Sequence, residues 1–492
     1  MKKKLDRQTY IKIGILFLNF FFILIVRKIS YKNILLNYDE VEWIYCLQKM
    51  LQNPIPFKGF DSHTTGPLAI YLLSPFYIIS KTLALSTLRI YGLIFLFSPF
   101  LLFFKKTLSE FIIWSTTYLC FLTLNNEDFL AYNTEWILIP LLFYIYDLIY
   151  SIINRPSRIK LFSIILLILV LPFIKFQAIL YSLTFYTFLI FKLFARNRKK
   201  EIFISIIFSI FISFLFIFSI SITTGFLDFK YYYLDRNIFY SKFMKWDKST
   251  RDIFYIFRQQ LTTLFYPFLF ILFFIYALIF KIEGLKSIKK MNLEIFLLFI
   301  SLLSIYLPKT NFTHYYQLLF FSFTILISNI LIRIYVSTEN KRNFSKIFIT
   351  IGIFILIMNL NNKKNIQIIN TDTYSKNILS NINNKEKVFI FGWFKAEPLY
   401  YDLRKKITIV NPSANTYFLK VFNGIEKGYF YNKELNIVLK TLNSNLDYII
   451  DPEDEIAILK ENKINLIISD NFTKISTFQN GWIYKNKKKW KR

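Results

Sequence analysis

The feature that most constrains this chain is the recurrence of apolar runs of roughly 15 to 24 residues through its first three quarters, since a helix crossing a bilayer needs about 20 apolar residues. Such runs at 11–27, 88–104, 111–124, 136–153, 160–174, 177–194, 201–224, 261–280, 292–308, 315–335 and 345–360 predict about eleven spanning helices. Composition agrees: 54% of residues are hydrophobic, 20% are aromatic and the mean hydropathy is +0.40. An ordinary soluble domain lies well below that. The expected fold class is therefore an α-helical polytopic membrane protein.

The formal charge of +30 does not point to nucleic acid. Lys and Arg fall in short segments between apolar runs instead of forming one groove-shaped patch. Their better use is topological, because basic residues near helix ends stay cytoplasmic. The N-terminal KKK, Lys105-Lys106, NRPSRIK, ARNRKK, the 281–290 segment and ENKRNFSK fall on one side, while NNEDFLAYNTE and PKTNFTH fall on the other. This places the N-terminus in the cytoplasm, and MKKKLDR followed by a long run without a small-residue cleavage site reads as an uncleaved first helix. The run 67–83, which carries Pro67 and Pro75, is expected to lie along the surface or dip partway in, because a full crossing would invert every later basic loop. Cys46 and Cys120 sit in apolar surroundings, with neither a disulfide framework nor metal-ligand spacing.

Beyond residue 360 the composition shifts to Asn, Lys and short β-branched strings. KVFIFGW, KITIV, LDYIID and INLIISD read as short buried strands with helices between them. The expected division is a transmembrane domain over 1–360 and an extracytoplasmic α/β domain over 361–492, long enough to bury its own core.

Chemistry-bearing residues gather near the predicted outer face. In NYDEVEW, Asp39, Glu40 and Glu42 open an amphipathic segment directly after the first span. Asp39 as an N-cap with Glu42 completing a capping box is the plain explanation. Acids at a membrane interface are costly unless paired or used, which is the functional one. Asp61 and His63 precede a Gly-Pro turn, and the second histidine, His314, lies beside Tyr315 at the mouth of a later helix. Glu135 suits either a helix N-terminus or a site. Lys175 between two apolar runs suits either snorkelling or an anion. A glycine-rich phosphate loop, a thiolate cluster and a nucleophile-elbow serine are missing from the sequence, so nucleotide hydrolysis and serine chemistry lack support.

Taken in order, the DE pair after the first helix, GPLAIYLLSP at 66–75, Arg89, NTE at 133–135, KFQ at 175–177 and HYYQL at 314–318 form a recognisable series. Over roughly residues 1–335 it resembles the GT-C superfamily of membrane glycosyltransferases, in particular bacterial relatives of the protein O-mannosyltransferases and of the lipid A aminoarabinose transferases. The resemblance implies inverting transfer of a sugar from a polyprenyl-phosphate carrier to a glycan, lipid or protein acceptor at the outer face of the inner membrane. It puts Asp39 in the place of the general base, with Glu40 as its neighbour and Glu135 near the second acidic loop. Lys175 and Gln177 would hold the carrier phosphate, and His314 and Tyr315 would lie near the donor. Relatives carry Lys-Pro-Pro where this chain has HTTGP at 63–67; His63, Arg89, Arg236 or Arg258 is the expected replacement for that lysine. Without an Asp-x-Asp pair no obligatory metal is expected, and a divalent cation stays an optional cofactor. The competing reading is a transporter, flippase or polysaccharide polymerase. Those proteins place polar residues in the middle of several spans, whereas here the charges collect at one face.

Overall fold

The computed structural model describes residues 6–243 except 33–35, 38, 63–64, 82–83 and 125–126; residues 292–307 and 313–337; and, beyond 340, residues 386–392, 396–403, 408–410, 428–459, 461–478 and 481–489 with isolated positions between 341 and 382 and Leu419. The expected span at 261–280 lies outside the described residues, as does half of 345–360. The chain divides into two compact units. The first comprises 1–33, 86–219 and 244–367, and the second comprises 34–85, 220–243 and 368–492.

The first unit is a helical bundle: α1 (Arg7–Val26), α5 (Leu85–Phe97), α6 (Pro99–Phe103), α7 (Leu108–Leu122), α8 (Glu127–Leu130), α9 (Glu135–Asn154), α10 (Arg158–Ile174), α11 (Ile179–Ala195), α12 (Lys199–Thr223), α15 (Asn292–Tyr306) and α16 (Leu318–Ser337). Six helical stretches among the described residues are long and apolar enough to cross a membrane: 7–26, 85–103, 135–154, 176–195, 199–223 and 314–336. This is an integral membrane protein of the helical class. The expected spans 111–124 and 292–308 are present as helices of 15 residues each.

Local signals set several boundaries. Asp6 caps α1 by accepting the Thr9 N–H at 2.7 Å. A capping box opens α7, in which Glu110 accepts the Thr107 N–H at 3.1 Å while the Thr107 hydroxyl accepts the Glu110 N–H. The middle of the bundle is aromatic. Phe143 of α9 meets Phe103, Tyr118 and Phe321 with ring centroids 5.6, 5.2 and 5.0 Å away. Edge-to-face pairs of this kind stabilise beyond the area they bury. At the other extreme α12 buries almost none of its length. That is the behaviour of a helix whose faces are all apolar and which meets lipid. One buried acid interrupts the apolar core: Glu294 accepts from Tyr146 OH at 2.7 Å, Tyr150 OH at 3.1 Å and Asn329 Nδ2 at 3.1 Å, joining α9, α15 and α16.

The second unit contains α2 (Asp39–Gln52), α3 (Pro67–Tyr71), α4 (Ser74–Ser80), α13 (Phe226–Phe229), a π-helical turn (Lys230–Asp235) and α14 (Arg236–Phe243). Its C-terminal part adds β1 (Lys387–Ile390), α17 (Ala396–Leu403), β2 (Thr408–Ile409), α18 (Tyr429–Leu442), β3 (Tyr448–Asp451), α19 (Glu455–Leu459), α20 (Asn462–Asn471), β4 (Phe472–Phe478) and β5 (Gly481–Asn486). The 67–83 run folds as α3 and α4, broken at Leu72–Leu73, and neither helix reaches spanning length. The sheet has the order β2-β1-β3-β5-β4, with β1 parallel to β2 and β3 and the last two strands antiparallel.

Three of the four expected strands form. The fourth, INLIISD, is helical within α20. Its buried residues, Ile464 and Ile468, are four apart and share one helical face, while Leu466 is exposed, so a helix covers the core with fewer apolar residues than a strand would need. The strand role passes to the 472–486 hairpin. There Gly481 is required, since a Cβ would lie 2.2 Å from the Asp451 carbonyl oxygen.

Candidate functional site

In the first unit, three helix ends supply one buried polar cluster. Lys175 ends α10 in an extended conformation, with φ of −152°. A 3₁₀ turn over Phe176–Ala178 then leads into α11. This break turns the Lys175 side chain away from the helix axis and into the bundle. Its Nζ makes an ion pair with Oε1 of Glu135, in the first turn of α9, and both side chains are buried. The same Nζ lies 4.5 Å from the ring centroid of Tyr315, whose edge-to-face neighbour is His314 at 4.4 Å. Lys175 therefore does not snorkel. Its charge is held by a carboxylate and an aromatic face. Gln177 is buried in the adjoining turn. Glu135 Oε2 and the Tyr316 hydroxyl are buried and have no hydrogen-bond partner among the described residues. A buried carboxylate oxygen with nothing to accept is costly, so this cluster is a candidate site for a hydrogen-bond donor.

Two arginines support the same end of the bundle. Arg89 of α5 is fully buried and donates to the carbonyls of Lys32 at 3.0 Å and Ser30 at 3.4 Å. Arg27, immediately after α1, donates through Nε to Leu122 O at 3.0 Å and through NH1 to Phe129 O at 2.8 Å. Its guanidinium stacks 5.0 Å from the Trp136 ring. It thus fixes the segment leading to Glu135. In the sequence Arg27 carries no signal beyond its place at the end of the expected span 11–27. Gly92 lets α5 approach that segment, since a Cβ would lie 2.5 Å from Trp136 and 2.6 Å from Tyr132.

The second unit carries the other acids. Asp39 is half-buried and Glu40 fully buried at the start of α2. Asn37 Oδ1 accepts the Asp39 N–H at 2.7 Å where α2 begins. Glu42 Oε1 lies 3.2 Å from Cys46 Sγ, which also lies 3.1 Å from the Asp61 carbonyl oxygen. Burial, then Glu42, pushes the Cys46 thiol well above its ordinary range. Arg236 is buried between two carboxylates. Its NH1 donates to Asp61 Oδ2 at 2.7 Å, while Nε and NH2 meet Glu434 Oε1 at 2.9 and 2.8 Å. Burial alone would lower Arg236, but Asp61 and Glu434 hold it above its usual value. Burial raises Glu434 in spite of Arg236 and of the Tyr231 hydroxyl, which donates to it at 2.7 Å.

Of the residues singled out from the sequence, Glu135, Lys175, Gln177, His314 and Tyr315 occupy one end of the first unit, with Arg89 in that unit too, and Asp39 and Glu40 belong to the second. His63 and Arg258 lie outside the described residues. Among the described residues no three His, Cys, Asp or Glu side chains converge as a metal-ligand set.

No protein-family model matches this sequence, and no curated protein matches it. The fold, in contrast, is shared with solved structures. Apo ArnT from Cupriavidus metallidurans superposes with a TM-score of 0.58 at 10% identity, covering 96% of this chain and 98% of that one. ArnT from the same organism bound to undecaprenyl phosphate gives a TM-score of 0.58 at 9% identity, with coverage of 96% and 98%. The architecture is thus ArnT-like along almost its whole length, beyond the 1–335 over which the GT-C resemblance is carried by motifs.

Proposed function

We propose that this protein transfers a sugar from a polyprenyl-phosphate donor to an acceptor at the extracytoplasmic face of the inner membrane. Residues 1–360 form the transferase domain and 361–492 an extracytoplasmic α/β domain. The observation that carries this reading is the buried Glu135–Lys175 pair over Tyr315, at the helix ends of a fold shared with a protein whose structure is bound to undecaprenyl phosphate.

In the proposed reaction the acceptor hydroxyl attacks the anomeric carbon from the side opposite the phosphate. A carbon–oxygen bond forms as the bond to phosphate breaks, and the sugar inverts. Asp39 takes the acceptor proton as general base, a role worth about 10² to 10⁴ in rate. Glu40 keeps the site acidic beside it, and Glu135 orients the acceptor. The phosphate leaves with the bonding electron pair, so its charge grows in the transition state. A cation placed to meet that charge lowers the barrier. Lys175 supplies it, exchanging Glu135 for the incoming phosphate; Gln177 adds a donor, and His314 and Tyr315 wall the donor sugar. Arg89, His63 and Arg258 are the remaining phosphate-side candidates. A lipid donor has its tail in hydrocarbon and its sugar at headgroup depth, which is why the acids follow directly on a spanning helix.

The test is turnover in reconstituted vesicles. The purified protein, given radiolabelled polyprenyl-phosphate sugars and extracted envelope acceptors, moves label into an acceptor fraction and releases polyprenyl phosphate. Absence of transfer from every such donor, under conditions where the protein binds undecaprenyl phosphate, overturns the proposal.

A further inference from the structure

The Glu434–Arg236–Asp61 chain is more than a fold staple, because of where its far end leads. Glu434 lies on α18, in the middle of the C-terminal sequence. Through 2.8 and 2.9 Å contacts it holds the Arg236 fork, whose remaining arm holds Asp61 at 2.7 Å. The backbone carbonyl of the same Asp61 is an acceptor for the Cys46 thiol, on the helix that begins with Asp39 and Glu40. Each link is buried: the Arg236, Asp61 and Glu434 side chains are 2%, 10% and 9% exposed. The Tyr232 ring, 4.7 Å from the guanidinium, closes one face of the fork. All three nitrogens of this guanidinium meet a carboxylate of the chain itself. The fork is therefore a joint between three segments distant in sequence. Removing Arg236 leaves two buried carboxylates without their cation, while removing the Glu434 charge leaves the Arg236–Asp61 pair intact but no longer tied to α18, so either change unties this link between α2 and the C-terminal segment.

We infer that Glu434 and Arg236 are positioning residues: through Asp61 they set the seat of α2, and so the C-terminal α/β segment controls the placement of the acid pair Asp39–Glu40. The functional part of this rests on the transfer reading above; the coupling itself does not.

The two cysteines provide a test that needs no turnover. Cys46 is 1% exposed on α2, and Cys120 is 4% exposed on α7 of the other unit. Full-length protein in nanodiscs is labelled with a water-soluble maleimide, and each site is followed by mass spectrometry. Releasing Asp61 opens the Cys46 seat. Opening that seat lets the reagent reach the thiol, so Cys46 labelling in Glu434→Gln and Arg236→Met rises at least about tenfold. Cys120 labelling stays at its wild-type rate. Arg236→Lys, which keeps the charge and loses the fork, falls between. Cys46 as protected in Glu434→Gln and Arg236→Met as in wild type overturns the inference. So does a parallel rise at Cys120, which would mean general loosening. If Arg236→Met does not fold, Glu434→Gln alone decides. In the transfer assay Glu434→Gln lowers kcat by about ten- to a hundredfold and leaves the donor KM nearly unchanged, the pattern of a misplaced base. Raised Cys46 labelling together with full activity in Asp39→Asn would refute the proposed chemistry and leave the coupling standing.

Discussion

Removing the positive partner of the Glu135–Lys175 pair is the perturbation whose consequences can be worked furthest. The two side chains are 0% and 5% exposed, so screening by water is small. Lys175→Met leaves a buried carboxylate whose second oxygen already has no partner among the described residues. Breaking a buried pair from one side costs about 3–5 kcal/mol. Glu135→Gln is milder, since Lys175 keeps the Tyr315 ring, a contact worth about 2 kcal/mol when desolvated. The double variant removes both charges and should recover roughly 1–3 kcal/mol relative to the sum of the singles. Unfolding followed by tryptophan fluorescence in titrations with a denaturing detergent reads these differences. The same variants separate a structural pair from a phosphate seat. If Lys175 exchanges Glu135 for phosphate, losing Lys175 removes a charge-assisted hydrogen bond of about 1.5–3 kcal/mol and weakens undecaprenyl phosphate binding about ten- to a hundredfold. Glu135→Gln, by removing the competitor, binds that lipid at least as tightly as wild type. Singles that simply add would refute the energetic argument. Unchanged lipid affinity in Lys175→Met would refute the functional one.

Three further outcomes follow from the fold. Glu294→Leu abandons two tyrosine hydroxyls in the bundle and should cost roughly 1–3 kcal/mol more than Glu294→Gln, which still accepts from them; equal losses would show that the hydrogen bonds are not what joins these helices. Gly92→Val forces α5 away from Trp136 and Tyr132 and should cost about 1–3 kcal/mol by overpacking; an unchanged melting profile would contradict the close approach. Asp451, fully buried, is raised to about 7 mainly by burial, partly offset by the N–H groups of Ile456 and Glu455. Its carboxyl keeps a proton in the folded protein that the unfolded chain releases near its ordinary value. Local stability is then fully present at low pH and falls by up to about 1.4 kcal/mol per pH unit on rising from about 4 to about 7. Hydrogen exchange at β3 and α19 should show that slope in wild type and lose it in Asp451→Asn; a pH-independent wild type would contradict it.

What was legible in the sequence followed from what a bilayer demands. Hydrocarbon thickness forces a long apolar run wherever a helix crosses, so the expected spans 136–153, 160–174 and 201–224 meet helices at 135–154, 158–174 and 199–223. The polar residues near the helix mouths could also be picked out, because charge beside hydrocarbon is costly and stands out against it. Pairing could not. Arg236 meets Glu434 across 198 residues and Asp61 across 175, and no local pattern encodes either contact. Arg27, the last residue of the expected span 11–27, carried no signal of its own because the carbonyls it binds, at Leu122 and Phe129, are backbone atoms that every residue has. INLIISD was misread because a short apolar run fits a buried strand and one face of a helix equally well.

The central claim, that Asp39 is the base of a sugar transfer, is tested most directly by single-turnover transfer from a labelled polyprenyl-phosphate sugar in wild type and Asp39→Asn, with undecaprenyl phosphate affinity measured on the same preparations. The account predicts a rate lower by about 10² to 10⁴ at unchanged lipid affinity. An Asp39→Asn protein that transfers sugar at the wild-type rate would contradict it.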